Sequence, residues 1–139
     1  MRTAFTKAIT GLLAAASATI LAVTLGAAPA HAETNLRLKT KAWGGYVANA
    51  GQVYFNATSE IFTLYDNASD GAGVSVSWSY EDNNGNFYYP PDLYLGTGAG
   101  TQQDFNKSIT DGFEVTIMVC VIDNGSVKAN TCTVGTAVA

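Results

Sequence analysis

Two hydrophobic patterns divide this 139-residue chain. From Ala8 to Leu25 the apolar run is almost unbroken, whereas beyond Glu33 apolar and polar residues alternate in short stretches separated by Gly, Asn, Asp and Pro. Alternation with period two sends successive side chains to opposite faces of a strand, so the second region reads as β structure, with no helix of useful length.

The strands can be followed in order. Leu36 and Leu38 alternate with Arg37, Lys39 and Lys41; Val53 and Phe55 alternate with Gln52, Tyr54 and Asn56; Ile61 to Tyr65 follow a polar turn at Thr58 to Glu60. In the clearest strand, Val74, Val76, Trp78 and Tyr80 share one face, and Ser75, Ser77 and Ser79 form a wet face opposite. Asn84-Gly85 suits a tight hairpin with positive φ angles, and Phe87 to Tyr89 return until Pro90 and Pro91 stop the ladder. Gly96 to Gly100 predicts a mobile surface loop. It is no phosphate cradle, lacking both the Lys and the following helix. Further strands are expected over Asp104 to Ile109, Phe113 to Ile122 and Val127 to Val134, the last two joined by a turn at Asp123 to Ser126. Seven to nine short strands without repeat or linker predict one all-β domain over residues 33–139, a small antiparallel β-sandwich of immunoglobulin-like character.

The N-terminal run has a different meaning. Arg2 and Lys7 precede it, Gly26 and Pro29 break its end, and Ala28-Pro29-Ala30-His31-Ala32 offers small residues to a signal peptidase. Residues 1–32 therefore read as a secretory signal cleaved before Glu33. About 18 to 20 apolar residues could instead anchor in a bilayer. The Ala- and Thr-rich composition and the adjoining cleavage site favour removal, and the absence of a twin arginine favours the general secretory route.

Export changes the charge and the chemistry. Residues 33–139 keep five basic side chains against eleven acidic ones, a net charge of −6. Nucleic acid and anionic membranes are thus poor partners, and Arg37, Lys39 and Lys41 read as a solvated strand face. His31, the lone histidine, leaves with the signal. What remains has no imidazole for a Ser-His-Asp or Cys-His triad, or for zinc. No catalytic residue, cofactor or metal is expected.

Two cysteines in an exported chain pair with each other, so Cys120 and Cys132 should form a disulfide. Alternation puts both on the less apolar face, predicting a staple between neighbouring strands near the surface. A two-residue turn at Asn124-Gly125 would set Cys120 opposite Ala129, leaving Cys132 about 10 Å away at ~3.3 Å per residue. The bond therefore demands a three- or five-residue loop, or a bulge, between the cysteines.

Asp66-Asn67-Ala68-Ser69-Asp70-Gly71 has the oxygen spacing of a calcium loop, but Ala68 occupies a ligand position and no Glu closes it. Asp66 and Asp70 are weak calcium candidates, better explained by an ordinary turn. No pair of carboxylates sits in a glycosidase motif. The aromatic content is more suggestive. Tyr54, Tyr88 and Tyr94 form a candidate binding face, since flat rings beside Asn, Asp and Gln stack on sugars. The plainer reading makes Trp78 and Tyr80 core and the tyrosines ordinary surface. The expected activity is non-enzymatic binding of polysaccharide, cell envelope or an extracellular protein. The alternative is inhibition of an extracellular protease or amylase through the Glu81 to Asn86 or Pro90 to Gly100 loop, and a small hydrolase ranks last.

The Ala/Thr-rich signal ending in Ala-Pro-Ala-His-Ala, with Val119-Cys120-Val121 and Thr131-Cys132-Thr133 in a compact tail, resembles small secreted proteins of actinobacteria of the Streptomyces kind, which mostly lack an assigned function. The resemblance implies export and a stapled C-terminal hairpin, and no activity.

Overall fold

A computed structural model describes residues 32–139, so the segment read as a secretory signal lies outside the described residues except for Ala32. Ten strands follow in order: β1 (Leu36–Lys39), β2 (Gly51–Asn56), β3 (Ile61–Asp66), β4 (Gly73–Glu81), β5 (Phe87–Tyr88), β6 (Leu93–Leu95), β7 (Thr101–Asn106), β8 (Glu114–Asp123), β9 (Ser126–Val127) and β10 (Thr133–Val138). A four-stranded sheet runs β1-β2-β3-β7, and a six-stranded sheet runs β10-β8-β4-β5, with β6 also on β4 and β9 on β8. Every pairing is antiparallel, and the two sheets make the expected all-β sandwich.

The core is built from the alternating positions. Val53 and Phe55 on β2, Phe62 and Leu64 on β3, Val74, Val76 and Trp78 on β4, and Val115, Ile117 and Val119 on β8 form one buried cluster. Burying side chains of this size supplies about 1.5–3 kcal/mol each relative to exposure, before chain entropy is set against it. Aromatic rings run through the cluster and out of it. Phe55 meets Phe62 at 4.6 Å, Phe62 meets Trp78 at 5.0 Å, Trp78 meets Tyr80 at 6.0 Å, and Tyr80 stacks on Tyr88 at 4.9 Å between centroids. Along one side the sheets are stitched together. Thr34 bridges Val138, Thr133 Oγ1 donates to the Lys39 carbonyl, and Gly135 leaves room for Leu36 and Leu38.

Several expectations shift in detail. The strand placed at Asp104 to Ile109 begins earlier, at Thr101, because β7 pairs with β3 along its whole length and Thr101 aligns with Asp66. The serine face of β4 is not uniformly wet. Ser75 is buried, since Tyr94 and Cys120 flank it in register. At the β4–β5 turn Gly85 takes positive φ and Asn84 does not, because Gly85 N–H bonds back to the Asp82 carbonyl while Asp82 N–H reaches Asn86.

The largest correction concerns Val127 to Val134, which is not one strand. Asn124 and Gly125, with φ of 50° and 73°, make a two-residue turn, so Ile122 pairs with Val127. A short 3₁₀ turn at Ala129–Thr131 then bulges outward before β10 begins. Those three residues are the offset that separated Cys120 from Cys132 in the sequence arithmetic. Past them Thr133 pairs with Val119, and the cysteines stand opposite each other, bonded, with Cα atoms 4.2 Å apart. The disulfide joins neighbouring strands of one sheet, as alternation required. It lies near the surface on the outer face of the sheet, with Cys132 half-buried and Cys120 buried.

Candidate functional site

Tyr54, Tyr88 and Tyr94 fall in three places. Tyr54 lies on the outer face of the four-stranded sheet, half-buried, with the Arg37 guanidinium 4.7 Å from its ring centroid. Tyr88 sits on the short β5, its ring stacked on Tyr80 and its hydroxyl donating to Asp82 Oδ2. The Asp82 charge is the main cause holding the Tyr88 phenol above its usual pKa. Tyr94 lies on the outer face of the six-stranded sheet, between the buried Leu93 and Leu95 of β6.

Tyr94 is the best presented of the three. Gly73 and Gly96 lie under it: a Cβ on Gly73 would come within 3.1 Å of the ring, and one on Gly96 would collide with it. Two bare stretches of backbone therefore form the seat of the ring, while the residue is still 56% exposed. Buried Leu93 and Leu95 on either side fix the strand that carries it.

Around Tyr94 the paired rows of the outer face from Ser75 to Ser79 carry no charged side chain. In register across the sheet run Tyr94, Ser75 and Cys120, then Ser77, Met118 and Val134, then Ser79, Thr116 and Thr136. A shallow cleft of about 310 Å³ is lined by Ser77, Ser79, Thr116, Met118, Val134 and Tyr89. Tyr89 is 78% exposed and Val134 58%. The face offers aromatic rings, a thioether and a methyl-bearing side chain beside a set of hydroxyls. Such a surface can stack on the apolar face of a sugar ring and bond its hydroxyl groups. Tyr89 stands outside the trio of candidate tyrosines. Its signal was its place between Tyr88 and the proline pair, which ends the strand and turns the ring across β4. Gly96 follows Tyr94 by two residues and so shares its face by alternation, whereas nothing in the alternation identified Gly73, whose segment meets Tyr94 only in three dimensions.

The acidic candidates do other work. Asp66 Oδ1 accepts from Ala68 N–H and Asp70 Oδ1 from Ala72 N–H, so both carboxylates shape the β3–β4 loop. Asp66 is 2% exposed, and its Oδ2 has no hydrogen-bond partner. Burial pushes its pKa up, partly offset by the Ala68 N–H and reinforced by nearby Asp70. Among the described residues no three His, Cys, Asp or Glu side chains gather as a metal-binding group. Gly96 to Gly100 forms one wall of a cleft whose other wall is Ala68 to Ala72, and Gly100 N–H ties it to the Asp66 carbonyl. In the Glu81 to Asn86 turn, Asp82 accepts from the backbone of Asn84 and Asn86, from the Asn86 side chain and from Tyr88. These bonds, the Asn86 side chain first, bring its pKa down to about 2.

No helix among the described residues is long and apolar enough to cross a membrane. No family model, curated protein or solved structure matches the chain.

Proposed function

We propose that the chain is an exported, non-enzymatic polysaccharide-binding module whose contact surface is the outer face of the six-stranded sheet. The observation that carries this reading is Tyr94, laid on Gly73 and Gly96 with its other side open to solvent. A ring seated in this way loses little freedom when a sugar stacks on it, and so wastes little binding free energy on ordering. Tyr89 and the Ser/Thr rows extend the surface along the direction a polymer would follow. Export is supported by the signal pattern and by the disulfide, a bond that persists in oxidising surroundings. The test is retention of residues 33–139 on cellulose, chitin and peptidoglycan, repeated with Tyr94→Ala and Tyr89→Ala. Retention by the parent and its loss in both variants is expected, whereas no retention on any polymer would retire the reading.

A second reading rests on the Asp82 clamp. Four groups bonded to one carboxylate hold the Glu81 to Asn86 turn in one shape, as an inhibitory loop requires. It predicts inhibition of at least one extracellular protease or amylase, abolished by Asp82→Ala.

A further inference from the structure

The opposite face of the sandwich has different chemistry. Strand register lays two rows across all four strands of the smaller sheet: Arg37, Tyr54, Thr63 and Asp104, then Lys39, Gln52, Tyr65 and Gln102. Each row spans three inter-strand gaps, about 14 Å at ~4.8 Å per gap. The Arg37 guanidinium lies 4.7 Å from the Tyr54 centroid and 5.8 Å from that of Tyr65, so both rings hold it in place. Thr63 Oγ1 donates to Asp104 Oδ1 at 2.6 Å, fixing the far end of the first row.

The charges here are unusual for so acidic a domain. Three of the five basic side chains of residues 33–139 lie on or just after β1, and Arg37 and Lys39 are exposed. The one ion pair among the described residues is Lys128 with Asp123, so neither Arg37 nor Lys39 has a carboxylate within salt-bridge distance there. An exposed cation fixed over aromatic rings, with a second cation two residues along the strand, complements an anion spaced along a polymer. Two or three cations in a domain of net charge −6 are too few for nucleic acid, which needs many phosphate contacts. Asp104 stands at the far end of its row from Arg37 and accepts hydrogen bonds from hydroxyl groups, which a uronate polymer carries on every ring and the DNA backbone lacks.

We propose that this face binds an acidic polysaccharide, Arg37 and Lys39 taking uronate carboxylates while Tyr54 and Tyr65 hold the Arg37 guanidinium in place and the exposed Gln102 and Asp104 bond hydroxyl groups. This site is separate from the Tyr94 face and does not rest on it. Affinity electrophoresis of residues 33–139 in gels containing polygalacturonate, its methyl ester, or single-stranded DNA tests it. Retardation by polygalacturonate alone is expected, with affinity falling about tenfold or more in Arg37→Ala/Lys39→Ala and in Tyr54→Ala, and unchanged in Tyr94→Ala. Equal retardation by the methyl ester or by DNA would overturn the proposal. So would undiminished binding by an Arg37→Ala/Lys39→Ala variant whose circular dichroism matches the parent. Failure of the Tyr94 reading alone would show as lost retention on neutral polymers with uronate binding intact.

Discussion

Gly73 is the residue on which the Tyr94 platform depends most directly. A Cβ there would stand 2.5 Å from the Leu95 carbonyl oxygen, and backbone cannot yield as a flexible side chain can. Gly73→Ala should cost about 1–3 kcal/mol in a urea melt and weaken polymer retention with it. Two carboxylates act in opposite directions on the pH dependence of stability. Asp66, held above its ordinary pKa by burial, binds its proton more tightly folded than unfolded. Its contribution is therefore intact below the unfolded value and lost as pH rises through the folded one. Asp66→Asn should raise the melting temperature at pH 7 and change it little near pH 3. Asp82 is lowered to about 2, so its contribution is present above the unfolded value and disappears as pH falls from about 4 to about 2. Asp82→Asn should flatten that acid limb. At this scale the sequence was legible where a residue acts through its own strand, as Tyr94 between two leucines does. It was silent on Gly73, whose task is to leave space for a ring that another segment brings.

Among the elements, the C-terminal ribbon shows how far spacing alone can reach. The sulfur-to-sulfur arithmetic demanded extra residues between the cysteines, and a bulge is what the chain uses. Its placement left a trace in the pattern, since the apolar positions Val127 and Ala129 give way to Cys132 and Val134, a change of phase at Asn130-Thr131 within the 3₁₀ turn. The cause is one hydroxyl. Thr131 Oγ1, fully buried, accepts from Val121 N–H at 2.9 Å and donates to the Lys128 carbonyl at 2.7 Å, replacing a ladder bond with a side chain. Thr131→Val should leave the Val121 N–H without a partner and destabilise by about 1–3 kcal/mol. Reducing Cys120–Cys132 removes a constraint on the unfolded chain worth about 2–3 kcal/mol for a loop of this size. A melting temperature lowered on the order of 10 °C by reductant is expected, and an unchanged one would place the stability elsewhere.

For the whole molecule, alternation was enough to announce a sandwich, because two packed layers are the natural way for so many half-apolar strands to bury one face each. Which strands become neighbours was not legible. β7 crosses back to join β3, and β8 crosses to join β4, and those crossings decide which outward side chains form a surface. Tyr54 and Tyr94 therefore look away from each other across the sandwich. A neutral face and a basic face on opposite sides of one domain predict that a chain retained on an insoluble neutral polymer still captures soluble polygalacturonate, which a sedimentation assay would read directly. The cystine has a further bearing on the first of these faces. Ser75 stands in register with Tyr94 on one side and Cys120 on the other, so the bridge forms part of the floor that continues the tyrosine platform. On the polysaccharide-binding proposal, a copy still carrying two thiols has that floor unpinned at its outer strand, and its retention on the polymer should fall below that of the oxidised form.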